Sequence, residues 1–348
     1  MRETDYLIIG AGIVGCAAAW FLAKEGQKVL VLDRTYPCNE ASGVNAGGIE
    51  LLQQPPKSLP LHKEAAELWD SFQNTWGVDV GYHRCGGIYA ILREEDLHML
   101  DEQEERFQKN GLPVQRLNRE QILEKVPGVS EDVIAANFSP MSGYANPLKA
   151  GRNILEAAKK LGAEFLDHQC VTKIEPVDGG YEALAETEVF RAKKVLVACG
   201  IRSAKLLDPL GVHIEFAEQH NMITVTEKAP HFLNHTFTTP TLTLKQTAEG
   251  SLLIGGGREG YGDLEQNIKD VSINNLCFNV REAQTILPSI RKLNILRSWS
   301  GFEGFTPDRL PWLGKSDCGV CYAVTGFCGF AIGPAVGRHA ANLLTGKE

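Results

Sequence analysis

The sequence has no stretch that stays apolar for the roughly 18 uncharged residues a membrane-spanning helix needs, so it predicts no membrane span. Its most apolar early segment, Tyr6 to Val14, is short, is broken by glycines and lacks a basic lead and a cleavage site. That pattern describes a buried strand running into a turn, not a secretory signal. An excess of positive charge is also missing: 35 Lys and Arg against 43 Asp and Glu leave a formal net charge of −8. A broadly acidic surface is attracted neither to nucleic acid nor to an anionic membrane, so neither is expected as a partner. A disulfide framework is missing too, because the nine cysteines are odd in number and scattered. Reduced thiols and a cytoplasmic location are the simplest expectation. Cys318-x-x-Cys321 has no second cysteine pair to complete a metal site; a structural role is expected there, and no metal. Internal repeats and low-complexity tracts are absent as well.

What remains reads as an α/β protein of two domains. Asp5 to Ile9 is an apolar strand, Ile13 to Lys24 an Ala-rich helix and Lys28 to Asp33 a second apolar strand, which together make a βαβ unit. Further helices are expected at 62–76, 95–109, 147–161 with Pro147 at its start, 269–287 and 334–345. Strands are expected at 170–175, 181–186, 189–198, 221–227, 240–247, 251–255, 295–302 and 320–325. Parallel-type strands thus occur at the start, near 195–198 and near 320–325, with antiparallel material between them. A dinucleotide domain assembled from three separated pieces explains that order: 1–80, 143–210 and 297–348, with 81–142 and 211–296 forming a substrate domain around an antiparallel sheet.

Gly10-x-Gly12-x-x-Gly15 sits between the first strand and its helix, where a pyrophosphate site requires it. The first glycine permits the tight turn, the second lets the phosphates approach the backbone, and the third lets helix and strand pack closely. The helix terminus at Ile13 and Val14 then offers free N–H groups and the positive end of its dipole. Asp33, 18 residues after Gly15, is placed to accept from a ribose hydroxyl and disfavours a 2′-phosphate; Arg34 follows it. Only one such fingerprint is present, so a second bound nicotinamide nucleotide is not expected. The small-residue loop Ala41-Ser42-Gly43-Val44-Asn45-Ala46-Gly47-Gly48 suits a long ligand lying against main-chain N–H groups.

That loop, with Val195-Leu196-Val197-Ala198-Cys199-Gly200 and Gly326-Phe327-Cys328-Gly329-Phe330-Ala331-Ile332-Gly333-Pro334, resembles the D-amino acid oxidase superfamily of flavoenzymes almost end to end. The superfamily includes glycine and sarcosine oxidases and the β subunits of proline, hydroxyproline and opine dehydrogenases. The resemblance implies FAD as cofactor on a Rossmann-type, glutathione-reductase-like domain. It places the pyrophosphate at Gly10, Gly12 and Gly15 and the adenosine ribose at Asp33. Ser42, Asn45, Ala46, Gly47 and Gly48 would line the ribityl chain and ring, and the backbone of Val171 would meet the adenine. Ala198 and Gly200 would join the same wall. Gly329, Phe330, Ala331 and Ile332 would lie by the pyrimidine edge, with a helix starting at Pro334 aimed at it. Gly326 to Pro334 is about two residues shorter than the usual family loop. Gly301 stands where monomeric sarcosine oxidases carry a flavin-linking Cys, which excludes covalent attachment there.

For the substrate, the family's chemistry needs binding and orientation rather than a Ser/His/Asp triad. Glycine-oxidase-like relatives carry an Arg in the segment Trp299 to Asp308, and here that position is Glu303, which suits a cationic amine, a guanidinium or a ring hydroxyl. Arg258 is the first candidate to grip a carboxylate; His220, Lys245, Gln246 and Tyr261 are further candidates for the pocket wall. The segment, with Lys245-Gln246-Thr247 and Leu252 to Gly257, is most similar to the β subunits of hydroxyproline and opine dehydrogenases. The function this implies is dehydrogenation of a C–N bond in an imino acid, D-amino acid or opine, by a catalytic subunit whose partners carry further redox centres. Two alternatives stand beside it: a free-standing glycine- or sarcosine-type oxidase using oxygen, and a flavin-binding subunit for assembly or electron relay.

Overall fold

The computed structural model describes residues 1–186 and 188–347. Its framework is a pair of eight-stranded sheets. The first is built on strand Arg2–Ile9, whose residues Leu7, Ile8 and Ile9 are buried. Val29–Leu32 and Val189–Val197 lie parallel to it on either side, Glu164–Leu166 extends the first flank and Cys321–Val324 the second. The parallel strands therefore come from distant parts of the chain, and side chains buried on both faces explain their unbroken apolar runs. Helices Ile13–Lys24, Ala150–Lys160 and Gly329–Thr345 cover one face. The first and last approach closely because Gly333 and Gly337 have no side chain: a Cβ on Gly333 would stand 2.5 Å from Ile13 Cγ2, and one on Gly337 2.6 Å from Ala17 Cβ.

The second sheet runs in the order Ile295–Phe305, Ala217–Lys228, Ser251–Gly256, Leu242–Gln246, Thr236–Thr238, Gly87–Ile91, Ala135–Ser139, Gln115–Leu117. All its pairs are antiparallel except Thr236–Thr238 with Gly87–Ile91. Side chains alternate across a strand, and here the alternation sorts them cleanly. Ile88, Phe237, Leu242, Leu244, Leu252 and Ile254 pack into a core with Ala283 and Ile286 of helix Ile273–Ile286. The opposite face carries Thr236, Thr243, Lys245 and Asn221 and looks toward the nucleotide-binding end of the first sheet.

Several elements differ from expectation. The closing helix begins at Gly329, not Pro334, because Cys328 takes a left-handed conformation (φ 54°) that caps it. Pro334 then sits in the second turn, where it forfeits one backbone hydrogen bond. The helix after Pro147 starts only at Ala150, following a turn in which Lys149 N–H donates to the Asn146 carbonyl. The helix expected from 269 starts at Ile273, since Ser272 caps it and 268–270 form a strand of a short hairpin, Tyr261–Asp263 with Ile268–Asp270. Strand Ile295–Phe305 pairs along its length with Ala217–Lys228 in the second sheet, so the chain rejoins the first sheet at Trp312–Lys315 rather than at 297. Strands Gly87–Ile91 and Ala135–Ser139 were not foreseen.

Candidate active site

Between the two sheets runs one cavity of 1370 Å³. Its floor at one end is the turn after the first strand. Gly10 has φ 106°, and a Cβ there would lie 2.4 Å from the Ala198 carbonyl oxygen. Gly15 does not reach the cavity; it lies beneath, where a Cβ would meet the Gly10 carbonyl oxygen at 1.9 Å. Ala11 N–H donates to Asp33 Oδ2 at 2.7 Å and Thr35 N–H to Asp33 Oδ1 at 2.9 Å, which fixes the carboxylate against the turn. Ser42 Oγ accepts from Ile13 N–H at 3.0 Å, joining the small-residue loop to the helix terminus. Gly10, Gly12, Ile13, Val14, Asp33, Arg34, Val171, Ala198 and Gly200 all line this end.

The middle of the cavity is shaped by the loop. Asn45 holds it twice: Nδ2 donates to the Ala41 carbonyl at 2.8 Å and Oδ1 accepts from Gly47 N–H at 2.7 Å. Gly47 (φ 75°) leaves no room for a side chain, since a Cβ would meet the Ala145 carbonyl oxygen at 2.2 Å and Lys245 Nζ at 2.9 Å. Gly48 pairs with Tyr144 across a short antiparallel bridge. The second sheet grips the loop from above: Trp299 Nε1 donates to the Val44 carbonyl at 2.7 Å, and Gly301 packs so tightly on Val44 that a Cβ would come within 2.4 Å. Ser42, Asn45, Ala46, Gly47 and Gly48 line the cavity. So do Gly329, Phe330 and Ala331 in the first turn of the closing helix, whereas Ile332 is buried in the core beneath. Trp69 Nε1 holds that turn in place by donating to the Ala331 carbonyl at 2.8 Å.

Beyond the loop the wall becomes polar. Glu303 lines it and accepts from Asn221 Nδ2 at 2.6 Å. Burial pushes the Glu303 carboxyl above the usual range, against the pull of that hydrogen bond and of Arg309. Arg258 and Arg309 are also in the wall; Arg258 lies over the Phe278 ring at 3.6 Å and Arg309 over Phe327 at 4.3 Å. Lys245 is buried just beneath the wall, against Gly47. The other candidates are elsewhere. Gln246 points to the opposite face, its Oε1 accepting from Phe232 and Leu233 N–H and its Nε2 donating to the carbonyls of Ala229, Pro230 and Gly250. His220 alternates with Asn221 and pairs with Glu218 at 2.8 Å outside the cavity wall. Tyr261 is 57% exposed on the hairpin.

Among the wall residues that no sequence pattern singles out are Asn221, Arg309 and Glu50. Asn221 adjoins the candidate His220, and strand alternation gives one of the two to the cavity without saying which. Arg309 follows Asp308 in the turn after the last strand of the second sheet, with φ 59°. Glu50 is 5% exposed, and its carboxylate sits in the space a side chain on Gly87 would fill. Burial lifts it to about 7, offset by the hydroxyls of Thr236 and Ser142 and by Lys245. Burial likewise brings Lys245 down to about 7.

A glycine turn with its fixed acidic partner, opening into a chamber with polar residues in its wall, is the arrangement of an oxidoreductase that works on a small molecule beside a dinucleotide. Residues 5–343 match the FAD dependent oxidoreductase family designated DAO, and the chain belongs to that family. It is an FAD-dependent enzyme, and the cavity lined by the glycine turn, Asp33 and the loop 42–48 has room for the cofactor. The chain is 30% identical over 335 residues to a subunit of the opine oxidase of Rhizobium meliloti, covering 91% of this chain and 86% of that protein. It is 24% identical over 365 residues to glycine oxidase of Bacillus subtilis, covering 100% and 94%. In fold it is similar to glycine oxidase from Geobacillus kaustophilus, with a TM-score of 0.91 at 23% identity over 100% of this chain and 96% of that one. L-proline dehydrogenase from P. horikoshii gives 0.90 at 23%, over 100% and 95%. Among the described residues no helix is long and apolar enough to cross a membrane.

Proposed function

We propose that this chain dehydrogenates a C–N bond in an imino acid, D-amino acid or opine, as the catalytic subunit of a larger assembly. The observation that carries the reading is the cavity wall that Glu303, held by Asn221 and within the influence of Arg309, shares with Arg258. A zwitterionic substrate presents both charges such a wall can meet. Arg258 and Arg309 attract the carboxylate, a planar fork suiting a planar anion. Glu303 attracts the protonated nitrogen, and its raised affinity for a proton lets it share that proton, leaving the amine neutral for oxidation. FAD, when bound, supplies the chemistry by accepting a hydride at N5 from the carbon next to nitrogen. The first turn of the closing helix, Gly329–Ala331, would hold its pyrimidine edge, and the Gly47–Gly48 backbone its ring.

The assembly is supported by the likeness to one subunit of an opine oxidase over most of both chains. On this reading the catalytic subunit passes electrons to redox centres on partner subunits. The test is an anaerobic visible spectrum of the FAD-loaded chain, recorded before and after adding prolines, hydroxyprolines, opines and N-methyl amino acids. Bleaching by one of these supports the reading, and flavin that none of them reduces refutes it. Stoichiometric peroxide from the isolated chain in air would instead assign it to the free-standing oxidases.

A further inference from the structure

Beside the Gly47–Gly48 turn lie two buried ionisable side chains, Glu50 and Lys245, that the mechanism above leaves unused. Glu50 lines the cavity, is 5% exposed, and keeps one carboxylate oxygen, Oε1, without any hydrogen-bond partner. Its Oε2 is wedged beside Gly87, Ser142 and Thr236, so the side chain cannot swing away. Lys245 is 3% exposed and has only a long contact, 3.5 Å, from Nζ to the Ala145 carbonyl, with the Tyr144 ring 4.5 Å away. The two side chains flank the same turn: a Cβ on Gly47 would lie 2.9 Å from Lys245 Nζ, and one on Gly48 3.6 Å from Glu50 Cγ. Around the pair, Cys85, Cys328 and Tyr144 are thiols and a phenol that burial keeps protonated, and Glu249 is the remaining carboxylate acting on Lys245.

A buried acceptor left unsatisfied costs free energy, and it is expected to find its partner in whatever fills the cavity. Three kinds of substrate substituent could reach it. A carboxylate brings only acceptor oxygens and leaves Oε1 as unsatisfied as before. A second cation finds Glu50 already balanced by Lys245, so its desolvation goes uncompensated. An uncharged hydroxyl meets neither objection, since it donates to Oε1 and adds no charge to a pair that is neutral in sum. We infer that Glu50, balanced by Lys245, forms a specificity subsite for an uncharged hydroxyl on the substrate, distal to the oxidised C–N bond. The inference rests on the proposed C–N dehydrogenation, which it narrows toward hydroxylated ring acids and away from substrates with a second carboxylate at that end.

The test uses the FAD-loaded chain and two pairs of compounds. Proline and 4-hydroxyproline, in each stereoisomer, are compared by the second-order rate of anaerobic flavin bleaching. Tetrahydrofuran-2-carboxylate and its 4-hydroxy derivative, which have no amine to oxidise, are compared by the affinity with which they perturb the flavin spectrum. The hydroxyl is expected to favour one stereoisomer of each pair by about ten- to a hundred-fold. Glu50→Gln, which keeps size but weakens the acceptor, is expected to bring the ratio below about three-fold while the flavin content is retained. Lys245→Met is expected to relax discrimination against a distal amine. Equal handling of both members of each pair by the unaltered chain overturns the subsite, and needs no variant to fold. Preference for the hydroxylated furan acid with no bleaching by any amine keeps the subsite and sinks the dehydrogenase reading; bleaching without preference does the reverse.

Discussion

Two glycines of the nucleotide-binding half separate two reasons for the residue. Gly26 (φ 76°) faces open space, and a substitution there meets only backbone strain, about 1–2 kcal/mol. Gly15 has an ordinary φ but no room, because its Cβ would land on the Gly10 carbonyl oxygen. Gly15→Ala is expected to push the helix off the turn, cost about 1–3 kcal/mol and release FAD during purification; absorbance at 450 nm per mole of protein reads the loss. Gly26→Ala should keep its flavin. His62 offers a test by pH. It is 2% exposed, its Nε2 has no partner, and burial lowers its pKa to about 3 from 6.5. A depressed pKa means the unfolded chain binds the proton and the folded one does not. The stability gained from a neutral His62 is therefore present above 6.5 and is lost as pH falls toward 3, at up to about 1.4 kcal/mol per pH unit. His62→Leu is expected to flatten the acid side of the melting-temperature profile, and an unchanged slope between pH 6 and 4 would show that other groups set it.

The hairpin Tyr261–Asp270 reaches across to the nucleotide end of the cavity and is tied there by polar contacts. Lys269 pairs with Glu40 at 2.6 Å, Lys205 pairs with Glu265, and Arg202 donates to the Leu264 carbonyl at 2.8 Å and to Asn267 Oδ1 at 3.2 Å. Leu264, Glu40, Arg34 and Arg202 all line the cavity, so the hairpin lies as a strap across that end of it. The exposed Lys205–Glu265 pair contributes little, about 0–1 kcal/mol, and is screened by salt, whereas the half-buried Lys269–Glu40 pair is screened less. The double variant Lys205→Ala, Lys269→Ala is expected to release FAD about three- to ten-fold faster at low salt, with the difference shrinking at 1 M salt; stopped-flow flavin fluorescence measures it. No local pattern in the sequence announces such a strap, because its contacts join residues far apart. The same limit applied to the second sheet. The glycine turn, its helix and Asp33 were legible because one βαβ unit holds them within about thirty residues. Which of His220 or Asn221, or of Lys245 or Gln246, faces the cavity depends on how eight distant segments pair, and that register is invisible until the sheet exists. The helix start at Gly329 was missed for a related reason: small residues after Cys328 look like a loop until the left-handed cap is seen.

At the scale of the molecule, the cavity lies between two sheets that share little else than its walls and the segments crossing beside it. Filling it with FAD joins them, and a ligand bound only by the folded state stabilises it by mass action, about 4 kcal/mol at a thousand times its dissociation constant. Flavin removal is accordingly expected to lower the melting temperature by several degrees and to expose the loop 41–48 to protease; an apoprotein as resistant as the holoprotein would mean the sheets are held together without it. The site is also spread unusually widely along the chain. Its first wall, the turn at Gly10, and its last, the helix turn at Gly329, are separated by almost the whole sequence, yet Gly333 and Gly337 must seat on the helix that the first turn opens. During synthesis, the ribosome therefore releases the pyrophosphate turn long before the element that closes the other end of the pocket. The complete pocket is available to FAD only once residues near 340 have emerged, and cofactor loading is therefore expected to close this chain's folding rather than to seed it.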